Sequence, residues 1–297
     1  MMENQFIGVG EIRTRYLEAG SGGVPVVFVH GGTIGDASSA SSADDFLPLV
    51  QACSATRRAI SVDRLGHGYT DNPSKDDLEG WTMDGSVKHF IRFLEVMNAG
   101  PYHLVGQSRG GYVVTRTTLE RPDLVASLTI GDSNTVAPGG ARNEGIHLRN
   151  PHPPGTIEAM EFTTKLYYFS PEALSRDLAQ KKLDILATPK IRAAIARMGP
   201  GGYRVKHYLP GLVKAREELF MRLKHEPLKR RVQIIWAFND PTAPIEMGYN
   251  LFALIARHQP RVSMHVVNQS GHSAYRERFE PFMRVLGNHL EAVDDGN

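Results

Sequence analysis

The sequence predicts an α/β protein: a mostly parallel central sheet flanked by helices, with a helical block inserted before the last strands. Two observations carry this. Short, β-branched, nearly all-apolar runs alternate with helical patterns through residue 132, as strands buried on both faces of a parallel sheet do. A long stretch without any strand-like run follows, and the strand pattern then resumes.

In chain order, strands are expected at Glu11–Glu18, Pro25–His30, Ala59–Asp63, His103–Gly106 and Ser127–Asp132. Trp81–Met97 places Val87, Phe90, Ile91, Leu94 and Met97 at helical spacing, and Ala-Gly-Pro at 99–101 stops it. Gly110–Glu120 reads as a second helix, ended by Arg121-Pro122. From Asn134 to Arg149 the chain is polar and rich in Gly and Pro, and Asn150-Pro-His-Pro-Pro-Gly155 excludes regular structure. Ile157 to Leu228 reads as several helices, divided at Ser170-Pro171, Thr188-Pro189 and Gly199-Pro-Gly-Gly202. Strands return at Val232–Phe238 and Ser263–Val267, and a helix over Arg278–Leu290 closes the chain. The expected division is a core of residues 1–134 and 229–297 with a cap of residues 135–228.

Composition narrows the functional classes. Of 297 residues, 41% are hydrophobic and 22% charged, the balance of a globular chain. A formal net charge of +2 gives no electrostatic case for nucleic acid or a membrane surface. Cys53 is the single cysteine, which excludes an intrachain disulfide and a multi-cysteine metal site; a buried thiol is its expected role. The N-terminus lacks a basic region followed by an apolar stretch, and no run approaches the ~18 apolar residues that span a bilayer. A cytoplasmic protein with neither metal nor organic cofactor is the expectation.

The chemistry centres on Gly106-Gln107-Ser108-Arg109-Gly110, a G-x-S-x-G string placed after a strand and opening a helix. A sharp strand-to-helix turn lifts the Ser108 hydroxyl clear of the sheet, with a helix N-terminus behind it that favours negative charge. Serine needs a base, and His272 in Ser270-Gly271-His272, after the final strand, is the candidate. His103, by contrast, begins a core strand and reads as structural. Asp240, in the turn after Val232–Phe238, is the acid that would fix the imidazole, with Asp132 at the end of an earlier strand as the alternative. The order Ser108, Asp240, His272 is that of α/β-hydrolases. Oxyanion donors are expected from the Arg109 N–H and from Gly32 or Thr33 in His30-Gly31-Gly32-Thr33.

Together with Asp63-Arg-Leu-Gly-His-Gly-Tyr-Thr-Asp71, these strings resemble the meta-cleavage-product hydrolases over nearly the whole chain. Those enzymes cleave a carbon–carbon bond in vinylogous 1,5-diketones formed by opening aromatic rings. The resemblance implies the α/β-hydrolase fold and a small acidic or hydrophobic substrate. It also implies a homodimer or higher assembly as the common state. Three positions and one loop depart from the family: Gln107 replaces its usual Asn, Arg109 its Met, and Ser273 its Trp, while His30-Gly-Gly-Thr-Ile-Gly35 replaces H-G-x-G-P-G. The family's cap arginine, which holds the substrate carboxylate, falls near Lys182, and Arg109 offers a second cation. Gln107, Arg109, Lys182 and Ser273 are therefore the substrate-contact candidates. A carboxylesterase with the same triad is the rival enzyme. A receptor-like homologue that binds its ligand without turnover is the rival of another class.

Overall fold

The computed structural model describes residues 2–38, 40–140, 150–153, 155–199 and 202–296. The expectation for Asn134–Arg149 can therefore be followed only through residue 140, and parts of the 37–43, 150–155 and 199–202 segments also lie outside the described residues.

Eight strands form one sheet: β1 (Gln5–Val9), β2 (Ile12–Ala19), β3 (Val26–Val29), β4 (Ala59–Val62), β5 (Tyr102–Gln107), β6 (Val125–Gly131), β7 (Arg231–Ala237) and β8 (Val262–Val267). Their order across the sheet is β1-β2-β4-β3-β5-β6-β7-β8. The pairs β1/β2 and β2/β4 are antiparallel and the remainder parallel. Seven of these strands lie where the sequence places them. The sequence does not announce β1, because its Gln-Phe-Ile-Gly-Val run is short, interrupted by glycine and only partly buried at the sheet edge.

The apolar runs are explained by burial on two faces. All four residues of β3 are buried, and they alternate: Val27 and Val29 pack on one side of the sheet, Val26 and Phe28 on the other. β7 does the same, with Ile234 and Trp236 opposite Ile235 and Ala237. Helices α1 (Leu47–Cys53), α2 (Met83–Met97) and α3 (Arg109–Glu120) belong to this core, as do three more near the C-terminus. These are α8 (Ile245–Ala256), α9 (Ala274–Glu277) and α10 (Phe279–Asp294). Cys53 is buried at the end of α1, and burial pushes its thiol up to about 11, which removes the thiolate a reactive cysteine needs.

Between β6 and β7 the described chain is helical: α4 (Ile157–Tyr167), α5 (Arg176–Leu186), α6 (Pro189–Met198), a π-helical turn (Arg204–Tyr208) and α7 (Leu209–His225). Breaks fall at the Ser170-Pro171 and Thr188-Pro189 steps, and side chains of Thr156 and Ser175 cap α4 and α5. The chain runs from β3 out to β4 on one side and returns to β5 on the other. Loops leaving β3 and β5 therefore part at a topological switch point, where open α/β sheets leave a crevice.

Candidate active site

Ser108 sits between β5 and α3 with φ +54° and ψ −126°, a strained conformation for a residue with a Cβ. It persists because its surroundings hold both peptide groups. Ser108 N donates to Gly131 O at 2.9 Å, and the Ser133 hydroxyl donates to Ser108 O. The next turn packs directly on β3: a Cβ added to Gly110 would lie 2.0 Å from the Val29 carbonyl oxygen, so only glycine fits.

The loop after β3 closes in from the other side of the crevice. A Cβ on Gly31 would lie 2.7 Å from Ser108 Cβ. Buried Arg64 fixes this loop, its Nη2 donating to Gly31 O at 2.8 Å and to Gly32 O at 2.5 Å. In a trans peptide the N–H points opposite to the C=O, so the Gly32 and Thr33 N–H groups turn away from Arg64. Neither they nor the Arg109 N–H, at the first position of α3, has an acceptor among the described residues. Burial draws the Arg64 guanidinium down to about 10, still charged at neutral pH. His30 supports the same loop, accepting from Arg64 N at 3.1 Å and donating through Nδ1 to Gly31 O at 2.8 Å. Burial holds its imidazole near 3, so it is neutral.

His272 and Asp240 meet within hydrogen-bond distance. His272 Nδ1 lies 2.7 Å from Asp240 Oδ2 and 2.9 Å from the Thr242 hydroxyl. The other Asp240 oxygen accepts from Thr242 N at 2.7 Å, Thr242 Oγ1 at 2.8 Å and Ala243 N at 3.0 Å. Such a carboxylate is acceptor-only, which places the imidazole proton on Nδ1 and leaves Nε2 as the basic nitrogen. The histidine backbone is held as well: its carbonyl accepts from Gln107 Nε2 at 2.7 Å and its N–H donates to Tyr167 O at 2.9 Å. Asp132, the alternative acid, instead accepts from Ala237 N at 2.7 Å. Burial and the nearby Asp240 charge push it well above the usual carboxylate range.

Ser108 and His272 open onto one cavity, and Gly32, Thr33, Gln107, Arg109, Lys182 and Ser273 line it too. Asp240 is buried behind His272, as an orienting acid should be. The two cations differ in their partners. Lys182, buried on α5, places Nζ 2.8 Å from Asp45 Oδ1, and Arg276 Nη2 reaches the same oxygen at 3.2 Å. Burial raises the Asp45 pKa, but the two cations outweigh it and hold the carboxyl at about 2. Arg109 forms no ion pair among the described residues: Nη1 donates to the Thr33 hydroxyl, and the guanidinium lies 5.9 Å from the Tyr208 ring centre.

The Asp45 cluster carries a stability prediction. Its folded pKa is depressed, so its stabilising contribution is present above pH ~4 and disappears as pH falls toward 2. Lys182→Met is expected to cost on the order of 2 kcal/mol at pH 7, Arg276 remaining as partner, with the gap to wild type narrowing at pH 3. Urea denaturation at both pH values checks this; a gap independent of pH would contradict the ion-pair account.

Several contributors were not assigned from the sequence. Arg64 and Thr242 stand inside strings noted there, without roles; Thr242, two residues after Asp240, carried a readable signal. Asp45 and Arg276, 231 residues apart, carried none. His103 is structural as expected, bonded to the Ser127 hydroxyl at 2.8 Å and to Asp294 at 3.0 Å. No group of three or more His, Cys, Asp or Glu among the described residues is placed to hold a metal. No described helix is long and apolar enough to cross a membrane.

Comparison with known proteins agrees with this fold. The chain is 26% identical over 293 residues to a 2-hydroxy-6-oxononadienedioate/2-hydroxy-6-oxononatrienedioate hydrolase of Paraburkholderia xenovorans, covering 94% of this chain and 91% of that protein. It is 25% identical over 284 residues to a 2-hydroxymuconate semialdehyde hydrolase of a Pseudomonas species, covering 95% and 92%. A solved meta-cleavage product hydrolase from Pseudomonas fluorescens IP01 superposes with a TM-score of 0.76 at 20% identity, covering 100% of this chain and 99% of that one. Residues 26–285 match the Alpha/beta hydrolase family, and with the sheet order and the Ser108 elbow this establishes that the chain belongs to that family.

Proposed function

We propose that the protein is a serine-dependent hydrolase that cleaves a carbon–carbon bond in a vinylogous 1,5-diketone acid of the 2-hydroxy-6-oxo-dienoate type. The observation that carries the reading is the cavity that brings together Ser108, His272 backed by Asp240, and Arg109, a cation with no ion pair among the described residues. Relatives named for such substrates support it.

In this reading residues 135–228 act as a cap, and the substrate carboxylate meets Arg109, since Lys182 already serves Asp45. Gln107 acts chiefly through the His272 carbonyl it holds, and Ser273 lines the space beside it. His272 assists transfer of the dienol proton to carbon, giving the keto form. Ser108, or a water that Ser108 and His272 position, then adds to the remote carbonyl, and the Arg109, Gly32 and Thr33 N–H groups receive the oxyanion. The C–C bond breaks with its electron pair delocalised into the departing dienolate, which is then protonated. One water is consumed overall, and the acyl fragment leaves as a carboxylic acid. Ketonisation comes first because carbon is otherwise a poor leaving group.

Parallel assays test the bond: loss of the yellow dienolate chromophore against release of nitrophenol from short esters. Ester turnover without dienoate turnover would replace this reading with a carboxylesterase. Tight stoichiometric binding with the ligand unprocessed would replace it with a receptor-like role. The acid-binding step has its own check. Arg109→Met removes a charge-assisted bond worth ~1.5–3 kcal/mol, so KM for an acidic dienoate should rise about 10- to 100-fold. A neutral ester should change less than about threefold by the same reasoning; equal losses on both would remove Arg109 as the carboxylate partner.

A further inference from the structure

Glu277 ends α9, five residues beyond His272, and its carboxylate takes donors from two separate parts of the chain. Oε2 accepts from Phe169 N and Ser170 N, both at 2.8 Å, and Oε1 accepts from Gly271 N at 2.7 Å. The first two donors lie just past the C-terminus of α4, and the third precedes His272. The same two segments touch at further points. His272 N donates to Tyr167 O at 2.9 Å, and the Tyr167 ring meets the imidazole edge-on, 5.5 Å between centres. Gly271 packs so closely that a Cβ there would lie 2.4 Å from Tyr167 O. Tyr167 and Tyr168 both line the cavity, and the Tyr168 hydroxyl accepts from Arg276 Nη1 at 3.1 Å.

We propose that Glu277 is a positioning residue for the hydrolysis: it clips the end of α4 to the loop that carries His272, so that one contact sets both the cavity wall and the aim of the imidazole. The inference rests on reading His272 as the base for Ser108. The chemistry favours a carboxylate at this place. Three backbone N–H groups converge on two oxygens, and only an acceptor-only group satisfies all of them through charge-assisted bonds. A glutamine would turn an NH2 toward an N–H, losing at least one of the bonds while keeping the volume.

The test uses the full chain and an alkyl fluorophosphonate, which reports attack by Ser108 whatever bond the natural substrate presents. For Glu277→Gln the maximal labelling rate should fall about 10- to 100-fold, the effect of roughly 1 Å of misplacement. The half-saturating probe concentration should stay within about twofold and the melting curve remain cooperative, a split that general loss of structure does not produce. Glu277→Asp keeps the charge with a shorter reach and should fall between. If Glu277→Gln does not fold, Glu277→Asp decides by the same slowing. Labelling at the wild-type rate in the folded variant overturns the clip alone. Failure of the wild-type protein to label overturns the serine–histidine reading and the clip with it.

Discussion

Replacing Ser108 with alanine is expected to lower kcat on a ring-fission dienoate by about 10⁴-fold or more, with KM little changed. The hydroxyl is held at the mouth of the β3/β5 crevice by a backbone that tolerates few alternatives, at φ +54°. Alanine keeps that turn, the Gly32, Thr33 and Arg109 N–H groups, and the Arg109 side chain, so binding should survive while the nucleophile, or the group that orders the attacking water, is lost. Residual turnover from oxyanion stabilisation alone is the expected floor. Stopped-flow decay of the dienolate chromophore measures it. Near wild-type rates would end the serine mechanism.

Asp240→Asn should cost about 10⁴-fold in kcat, the loss expected when the imidazole is held in the wrong tautomer. The carboxamide would be placed where Asp240 Oδ2 now receives Nδ1–H at 2.7 Å, and an NH2 there drives the proton to Nε2. Asp132→Asn should change kcat less than threefold or so, because its carbonyl oxygen still accepts from Ala237 N–H. Asp132 is already pushed toward its neutral form by burial and by Asp240, so the amide resembles it. Steady-state kinetics of both variants decide the acid. An inactive Asp132→Asn beside an active Asp240→Asn would move the role to Asp132.

Much of this was legible in the chain itself. Strands buried on both faces announce themselves as apolar runs, which is why β3, β4, β5 and β7 appear nearly where expected, and why the short, partly buried edge strand β1 does not. Helices α1 and α8 were also unassigned from sequence: the first is only seven residues long, and the second is an apolar stretch beyond the Asn239-Asp-Pro-Thr242 turn. Elbow chemistry is local, since five consecutive residues between a strand and a helix suffice to identify Ser108.

The partners of charged side chains were not local. Lys182 and Arg109 are both cations near the same cavity, and sequence leaves their roles open. Folding brings Asp45 to Lys182 across 137 positions and leaves Arg109 without a carboxylate among the described residues. Similarly, Gln107 faces the His272 backbone 165 positions away, and Glu277 joins it to the end of α4. The sequence by itself determined seven of the eight strands, the helical insertion and the order Ser108, Asp240, His272, because periodicity and turn chemistry act over a few residues. Only the tertiary structure decided which cation is already neutralised and what holds the histidine in place. Those outcomes depend on distances of about 3 Å between segments whose separation along the chain carries no record of their meeting.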